Sequence, residues 1–311
     1  MILKKGSIGD SVKEIQKILG VTLNGYFDEE TEKSVMKFQK ENNLSVDGII
    51  GNKTYTKLIK FSTGDYNFID NDGKLNDLGF YTTSECLKIY KSYLDTDEYV
   101  SDQGKTIKDT LFIHHTAGRG NPFKTVKNWN TDKRGRIATQ YCIGRTSLKG
   151  DETNNGVVVE TFPDEYFAWH LGKVGSKRMH THSIGIELNN WGWLKKMGNK
   201  YYTYVNIEVP ESQVYDLGEK FKGYRYYQKY TKEQIESLRL LIIEIKRRHP
   251  KIDLEKGLKE WVTIEDPITA FSFKDDAFNG KIKGVLTHTN VRKDKSDCTP
   301  QVMLVNILKN L

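Results

Sequence analysis

Three side chains far apart in the sequence could together bind a metal ion. His114 and His288 each stand at the carboxyl end of a short apolar segment, and Cys298 follows on a polar loop. Two imidazoles and a thiolate would supply three ligands to a divalent ion and leave a fourth position for water, as in catalytic zinc sites. Because His114 is distant in sequence, a second interpretation stays open, in which each histidine is a hydrogen-bonded structural residue.

One acidic residue could exchange protons beside such an ion. Glu187 lies within the apolar segment S-I-G-I-E-L, which predicts a strand. A buried carboxylate without a partner is costly, so we expect Glu187 to face the cleft that holds the metal ligands. The other interpretation is a strand carboxylate held in a salt bridge. In the cleft, the carboxylate would suit general acid and base chemistry.

A further histidine pair, His180 and His182, also resembles a pair of metal ligands. An extended segment would place both imidazoles on one face, because alternate side chains of a strand point the same way. We expect polar scaffolding from this pair rather than metal binding.

Alternating strand and helix patterns from residue 105 onward must position these residues. The predicted strands are T-L-F-I-H-H, A-T-Q-Y-C-I-G-R, G-V-V-V-E-T-F, S-I-G-I-E-L and G-V-L-T-H. Thr231 begins a helix with the capping box T-K-E-Q, Pro250 ends that helix, and the C-terminal residues predict another amphipathic helix. The fold class of residues 105–311 is therefore α+β, a mixed β-sheet flanked by helices.

An aromatic-rich segment, residues 189–230, interrupts this pattern. Its rings could line a groove, because aromatic faces suit sugar rings. The segment could equally be a hairpin that packs on the core.

The N-terminal region contains an internal repeat. The turns N-G-Y-F-D-E-E-T and D-G-I-I-G-N-K-T share one pattern, and each leads into a helical segment. Gly25 and Gly48 permit tight turns with positive φ, and Asp28 and Asn52 are positioned to cap the helices that follow. Residues 1–61 are therefore predicted to be a small, all-α domain of three helices.

Residues 62–104 are predicted to be a linker with one short helix. The stretch up to residue 80 is rich in turn-forming residues. A helix that starts at Thr82 or Ser84 would place Leu87, Tyr90 and Leu94 on one face.

Composition excludes several classes of protein. Of 311 residues, 37% are hydrophobic, and the longest apolar runs are far too short to span a bilayer, so we expect no membrane insertion. The basic N-terminus lacks the apolar stretch of a secretory signal, which predicts synthesis in the cytoplasm. The net charge of +7 comes from scattered lysines and arginines, so we expect no nucleic-acid partner. Three cysteines do not form a disulfide framework.

Residues 4–60 resemble the three-helix peptidoglycan-binding domain found on many cell-wall hydrolases. The resemblance rests on S-I-G-D-S-V-K-E-I-Q-K-I-L, on both repeated turns, and on V-M-K-F-Q-K-E-N-N-L. It implies that this region anchors the chain to bacterial peptidoglycan.

Residues 105–311 resemble the zinc-dependent N-acetylmuramoyl-L-alanine amidases, which include phage lysozyme-type enzymes and peptidoglycan-recognition proteins. The shared motifs, in order, are L-F-I-H-H-T-A-G, F-A-W-H-L-G, S-I-G-I-E-L and T-H-T-N-V-R-K-D-K-S-D-C-T-P. The resemblance implies Zn²⁺ held by His114, His288 and Cys298. Many relatives have Asp as the third ligand, whereas the phage type has Cys.

The same resemblance implies roles for the neighbouring residues. Glu187 matches the acid/base residue, and His170 matches a histidine of the substrate pocket, with Trp169 packed beneath it. Family members often carry Lys two residues before the third ligand, where it stabilises the oxyanion. With Cys298 as that ligand the position is Ser296, and Lys295 beside it could also serve.

The implied function is hydrolysis of the amide bond between N-acetylmuramic acid and L-alanine of the stem peptide. The lack of a signal segment, together with a wall-binding domain, favours a phage endolysin that reaches the cell wall after release. We expect a monomer whose partner is peptidoglycan. The alternatives are a zinc endopeptidase of the stem peptide and a non-catalytic peptidoglycan-recognition protein.

Overall fold

The structure is a computed structural model that describes residues 3–42, 44–51, 54–55, 57–58, 80–83, 87–101, 106–172 and 176–311. The chain divides into two compact units, Met1–Asp77 and Leu78–Leu311. The capping role predicted for Asn52 and a helix start at Ser84 fall outside the described residues.

The first unit contains the helices α1 (Asp10–Leu19) and α2 (Glu29–Glu41), and residues 54–55 and 57–58 are also helical. Asp28 caps α2, as predicted, because its side chain accepts a hydrogen bond from the backbone N–H of Thr31. The buried core of this unit consists of Leu3, Val12, Ile15, Phe27, Val35, Phe38, Ile50 and Leu58.

The first repeated turn closes around one buried glutamine, an arrangement we call the Gln16 bracket. The Gln16 Nε2 atom donates to Asn24 Oδ1 at 2.7 Å, to the Tyr26 carbonyl at 2.9 Å and to Thr31 Oγ1 at 3.1 Å. The Gln16 Oε1 atom accepts from the backbone N–H of Gly25 at 2.9 Å. Gly25 has a φ of 69°, which confirms the predicted left-handed turn.

The second turn repeats this arrangement in the Gln39 bracket. The Gln39 Nε2 atom donates to Asp47 Oδ1 at 2.8 Å, to the Ile49 carbonyl at 2.9 Å and to Thr54 Oγ1 at 3.1 Å. Its Oε1 atom accepts from the backbone N–H of Gly48 at 3.0 Å, and Gly48 also has a φ of 69°. The sequence repeat is therefore a repeat of one hydrogen-bonding unit.

Within the described residues, the second unit is built on a mixed sheet of seven strands, in the order β1-β2-β6-β5-β8-β4-β14. The strands are β1 (Phe80–Thr82), β2 (Lys88–Lys91), β4 (Thr110–His115), β5 (Tyr141–Ile143), β6 (Val158–Glu160), β8 (Ser183–Leu188) and β14 (Val285–Thr287). A separate pair joins β3 (Val100–Ser101) to β7 (Tyr166–Phe167). Strands β5, β8, β4 and β14 run parallel to one another. The predicted fold class is confirmed.

The short helix predicted around Leu87, Tyr90 and Leu94 is wrong. Residues 88–91 form β2, which pairs in parallel with β6, so that Ile89 faces Val158 across the ladder. The β-branched and aromatic side chains of this segment suit a strand, and cross-strand pairing outweighs a weak helical preference. The sheet therefore extends into the region predicted to be a linker.

Helices cover both faces of this sheet. They are α3 (Pro122–Asn130), α4 (Lys177–Thr181), α5 (Lys232–Arg248), α6 (Leu258–Trp261), α7 (Pro267–Ala270), α8 (Asp275–Phe278), α9 (His288–Val291) and α10 (Val302–Lys309). Thr231 caps α5 through the backbone N–H of Gln234, as predicted. Among the helices of the described residues, none has the length and apolar character that crossing a bilayer requires.

Alternation along β4 separates two cores. Leu111 and Ile113 pack with apolar residues of α5 and α10, whereas Phe112 packs on the opposite face with Met179 and Ala277. His114 follows this alternation and projects on the Phe112 side.

The aromatic insertion is a five-stranded antiparallel sheet, in the order β11-β10-β9-β13-β12. Its strands are β9 (Trp193–Met197), β10 (Lys200–Tyr202), β11 (Glu208–Val209), β12 (Val214–Phe221) and β13 (Tyr224–Gln228). The rings of Trp193 and Tyr224 stack at 4.0 Å and pack against the main core. The Tyr204 hydroxyl donates to the Ala117 carbonyl at 3.1 Å, which joins this sheet to the loop after β4. This sheet, rather than a hairpin, packs on the core.

Candidate metal centre

The ends of three parallel strands bring the candidate residues to one edge of the sheet. In the ladder between β4 and β8, His114 lies directly opposite Glu187. In the ladder between β14 and β4, Thr287 lies opposite Ile113, so His288 follows at the level of His114. The carboxyl ends of parallel strands meet at a common edge, where open α/β sheets form their binding crevices.

Three buried atoms converge at this edge. His114 Nδ1 lies 3.2 Å from His288 Nδ1, His288 Nδ1 lies 3.0 Å from Asp297 Oδ2, and His114 Nδ1 lies 3.4 Å from the same oxygen. Zinc bonds of about 2.0–2.1 Å in a tetrahedral site separate two ligand atoms by roughly 3.3 Å. The triangle of His114, His288 and Asp297 therefore has the dimensions of a tetrahedral metal site, and we call it the metal triad.

The prediction that Cys298 is the third ligand is wrong. Cys298 is fully buried in the apolar core on the α5 side of the sheet, where its thiol contacts the Tyr230 hydroxyl. Burial raises the pKa of the thiol well above its ordinary value, which disfavours the thiolate that a metal needs. The residue whose side chain reaches the histidines is its neighbour, Asp297, with Oδ2 3.0 Å from His288 Nδ1 and 3.4 Å from His114 Nδ1.

The protonation states of the triad residues favour the binding of a cation. Burial lowers the pKa of His114 to about 4, so its imidazole is neutral near pH 7 and keeps a lone pair. Although burial alone would raise the pKa of Asp297, His288 and His114 hold it well below the usual range. The neutral imidazole of His114 and the carboxylate of Asp297 are therefore available as ligands.

Glu187 lies beside the metal triad as the sequence predicts. Its side chain is half-buried on β8. Burial raises the pKa of Glu187 well above its ordinary value, the charge of Asp297 raises it further, and Lys295 opposes both effects. A carboxyl group with a raised pKa is suited to general acid and base chemistry.

Comparison with known proteins identifies the family. The family model described as N-acetylmuramoyl-L-alanine amidase matches residues 103–297, and the model described as a putative peptidoglycan binding domain matches residues 9–58. The chain belongs to the N-acetylmuramoyl-L-alanine amidase family.

Individual relatives match parts of the chain. The N-acetylmuramoyl-L-alanine amidase AmiD of Escherichia coli strain K12 is 31% identical over 112 residues, which cover 35% of this chain and 38% of that protein. The chain thus spans less than half of that curated relative.

Solved structures match at lower similarity. The structure of PlyL is 11% identical over 67% of this chain and 84% of that chain, with a TM-score of 0.36. A complex of E. coli AmiD with anhydro-N-acetylmuramic acid-L-Ala-D-gamma-Glu-L-Lys is 23% identical over 55% of this chain and 53% of that chain, with a TM-score of 0.29. A fused Zn-dependent amidase, peptidase and peptidoglycan-binding protein of Clostridium acetobutylicum is 33% identical over 19% of this chain and 28% of that chain, with a TM-score of 0.18.

In this amidase-family chain, one of the two residues expected in the substrate pocket, His170, contacts the metal triad. His170 Nδ1 is 3.0 Å from His114 Nε2, and His170 Nε2 is 2.8 Å from Ser183 Oγ. Trp169 packs edge-on against His180 with ring centroids 4.8 Å apart. Both His170 and Trp169 are half-buried, so part of each side chain is accessible to solvent.

The two candidates for oxyanion stabilisation differ in their relation to the triad. Lys295 acts on the pKa values of both Glu187 and His114, which indicates that its charge lies near the cleft. With Asp297 as the third group, the residue two positions earlier is Lys295, so the family pattern of a lysine at that position is met. Ser296 then occupies the position between Lys295 and Asp297.

The histidine pair at 180 and 182 stays outside the metal triad. His180 Nε2 donates to the Gly172 carbonyl at 3.2 Å, and His182 Nδ1 lies 2.9 Å from Thr181 Oγ1.

The residue that sequence reasoning missed is Asp297. Its signal was present, because an aspartate directly precedes Cys298 and many family members use aspartate as the third ligand.

Proposed function

We propose that this chain hydrolyses the amide bond between N-acetylmuramic acid and L-alanine in bacterial peptidoglycan. The observation that carries the proposal is the metal triad, in which three ligand atoms lie 3.0–3.4 Å apart beside Glu187. Membership of the amidase family supports the choice of bond.

We propose zinc as the metal of this site. Two imidazole nitrogens and one carboxylate oxygen are ordinary zinc ligands, and three protein ligands leave a position open, as catalytic zinc sites require. His114, His288 and Asp297 would hold the ion. Zinc bound there would acidify a water molecule and polarise the carbonyl group of the substrate.

The surrounding side chains would supply the proton transfers and the charge stabilisation. Glu187 would accept a proton from the attacking water and then donate it to the nitrogen of the scissile amide. The amine leaves only once this nitrogen is protonated. Lys295 would stabilise the negative charge that develops on the carbonyl oxygen, and we assign it this role in preference to Ser296. His170, which lies beside His114, and Trp169 both have exposed surface and would contact the substrate.

We propose that the first unit binds the same polymer and so concentrates the enzyme on the cell wall. Residues 9–58 match the putative peptidoglycan binding domain, which supports this role. The setting that we infer, a phage endolysin that acts after release, remains a prediction from the sequence.

The decisive experiment is product identification. Purified peptidoglycan is digested with the zinc-loaded full chain, and the products are analysed by mass spectrometry, with Glu187→Gln as the matched control. We expect peptides with a free amino-terminal L-alanine and glycans that keep the lactyl carboxylate. New ends within the stem peptide would assign an endopeptidase instead. A folded, zinc-loaded chain that binds the wall without releasing products would indicate a recognition protein.

A further inference from the structure

A chain of hydrogen bonds extends from the metal triad to the backbone of α4. His114 Nε2 lies 3.0 Å from His170 Nδ1, His170 Nε2 lies 2.8 Å from Ser183 Oγ, and the Ser183 hydroxyl donates to the Met179 carbonyl. We propose that this chain, the His170 relay, determines which nitrogen of His114 carries the proton and so prepares His114 to bind the metal. This inference rests on the proposed metal site. His170 and Ser183 would be positioning residues.

The direction of the relay follows from its last member. A backbone carbonyl oxygen only accepts hydrogen bonds, so the single hydroxyl proton of Ser183 is used in donating to Met179. If that proton pointed to His170 instead, the oxygens of Ser183 and Met179 would face each other without a proton between them. The Ser183 oxygen must therefore accept, and His170 must donate from Nε2.

The same reasoning passes through both rings. A neutral imidazole has one N–H, so a His170 that donates from Nε2 has a lone pair on Nδ1. That lone pair accepts from His114, which must carry its own proton on Nε2. The lone pair of His114 is then on Nδ1, the atom that faces His288 and Asp297.

Packing holds the central ring of the relay in place. His170 lies over Gly185 of β8, where an added Cβ would be 3.2 Å from His170 Cγ and 2.9 Å from Thr139 Cγ2. The ring of Phe112 lies 5.7 Å away, centroid to centroid. The absence of a side chain at Gly185 thus gives the imidazole its space beside the sheet.

His288 has no comparable partner on its outer nitrogen. In the described part of the chain, its buried Nε2 atom has no hydrogen-bond partner. The two histidines of the metal triad therefore differ. Among the residues described, only His114 has a protein partner on Nε2, the nitrogen that points away from the triad. Partners of this kind orient metal-binding histidines, and their loss typically weakens metal binding by about 10–100-fold.

The first test is zinc affinity of the full chain, measured by competition with a chelator. His170→Phe keeps the ring volume but removes both hydrogen bonds, and we expect zinc binding to weaken by about 10–100-fold. Ser183→Ala should weaken binding in the same direction, whereas Ser183→Thr retains the hydroxyl and should restore most of the affinity. His182→Phe changes a neighbouring imidazole outside the relay and should leave the affinity within about twofold. Unchanged zinc affinity in folded His170→Phe would overturn the proposal.

The second test measures the protonated nitrogen itself. Nitrogen-15 spectra of histidine-labelled, zinc-stripped full chain should show His114 with its proton on Nε2, and Ser183→Ala should shift it toward Nδ1. A wild-type His114 protonated on Nδ1 would refute the relay. These results are independent of product analysis: altered zinc affinity without wall cleavage would leave the relay standing while the amidase proposal fails. Wall cleavage with unaltered affinity would refute the relay and leave the amidase proposal standing.

Discussion

The glutamine brackets of the first unit and the metal triad of the second both gather polar atoms around a centre, but over very different sequence distances. Each bracket glutamine reaches partners 8 to 15 residues away. In the metal triad, His114 and His288 are 174 residues apart. Local, repeated geometry leaves a pattern in the sequence, whereas a centre assembled from distant segments depends on the direction of individual side chains.

The strongest test of this difference compares the two neighbours at the third ligand position. We expect Asp297→Ala to lose bound zinc and more than about 100-fold of amidase activity, because the ion loses its only carboxylate among the triad residues. Cys298→Ala should keep both zinc and activity and lose about 1 kcal/mol of stability through the smaller buried side chain. Metal analysis, activity and chemical unfolding of each variant check this. Zinc loss in Cys298→Ala with retention in Asp297→Ala would reinstate the thiol as ligand.

The error at this position has a physical origin. The strand patterns correctly predicted that His114, Glu187 and His288 end at one edge of the sheet, because apolar segments mark buried parallel strands. Spacing alone does not tell which of two adjacent side chains turns toward that edge. The hydrolase prediction was tied to Cys298, and it survives because zinc accepts an aspartate oxygen as a ligand in place of a thiolate.

The error in the linker has a related cause. Residues 88–91 are too few for their periodicity to separate a helix from a strand, and the deciding contact is made with β6, far along the chain. The Asp28 cap and the two glycine turns, by contrast, depend on neighbours within the same turn, and these predictions were confirmed. The glutamines that organise the turns, Gln16 and Gln39, recur at the same spacing as Gly25 and Gly48, but the repeated turn pattern did not reach back to include them.

The next largest effect concerns the proton-transfer residue. Glu187→Gln keeps the shape of the side chain but removes its ability to exchange a proton, so activity should fall by about 10²–10⁴-fold. Bound zinc should be unchanged, because Glu187 lies outside the triad. Activity and zinc content are measured on the same preparation. Loss of zinc together with activity would mean that Glu187 supports the ion rather than the proton transfers.

Replacing the glutamine of either bracket should have a smaller effect, and the loss of stability should be similar in the two turns. Gln16→Ala removes four side-chain hydrogen bonds and Gln39→Ala removes five, and each variant leaves a glycine N–H without its partner. Either change should destabilise the first unit by about 2–4 kcal/mol. Both variants should bind insoluble peptidoglycan less well and cleave soluble fragments as the wild type does. Chemical unfolding and adsorption assays measure these effects. Clearly unequal losses would show that the repeat is not energetically symmetric.

The smallest effect is the pH dependence of the Asp28 cap in the first turn. Hydrogen bonds from the Thr31 backbone, then from Asn24, lower the pKa of Asp28 from 3.8 to about 2. A carboxylate with a lowered folded-state pKa stabilises the fold fully above the unfolded value, and this contribution disappears as pH falls through about 4 to 2. Asp28→Asn keeps a capping side chain that does not titrate. The difference in the free energy of unfolding between wild type and variant should therefore shrink as pH falls over that range. The second turn has Gly51 at the equivalent position, and Gly51→Ala should show no such pH dependence. If the free energies of unfolding of wild type and Asp28→Asn differ by a constant amount across the acid range, the cap stabilises the unit through its geometry and not through its charge.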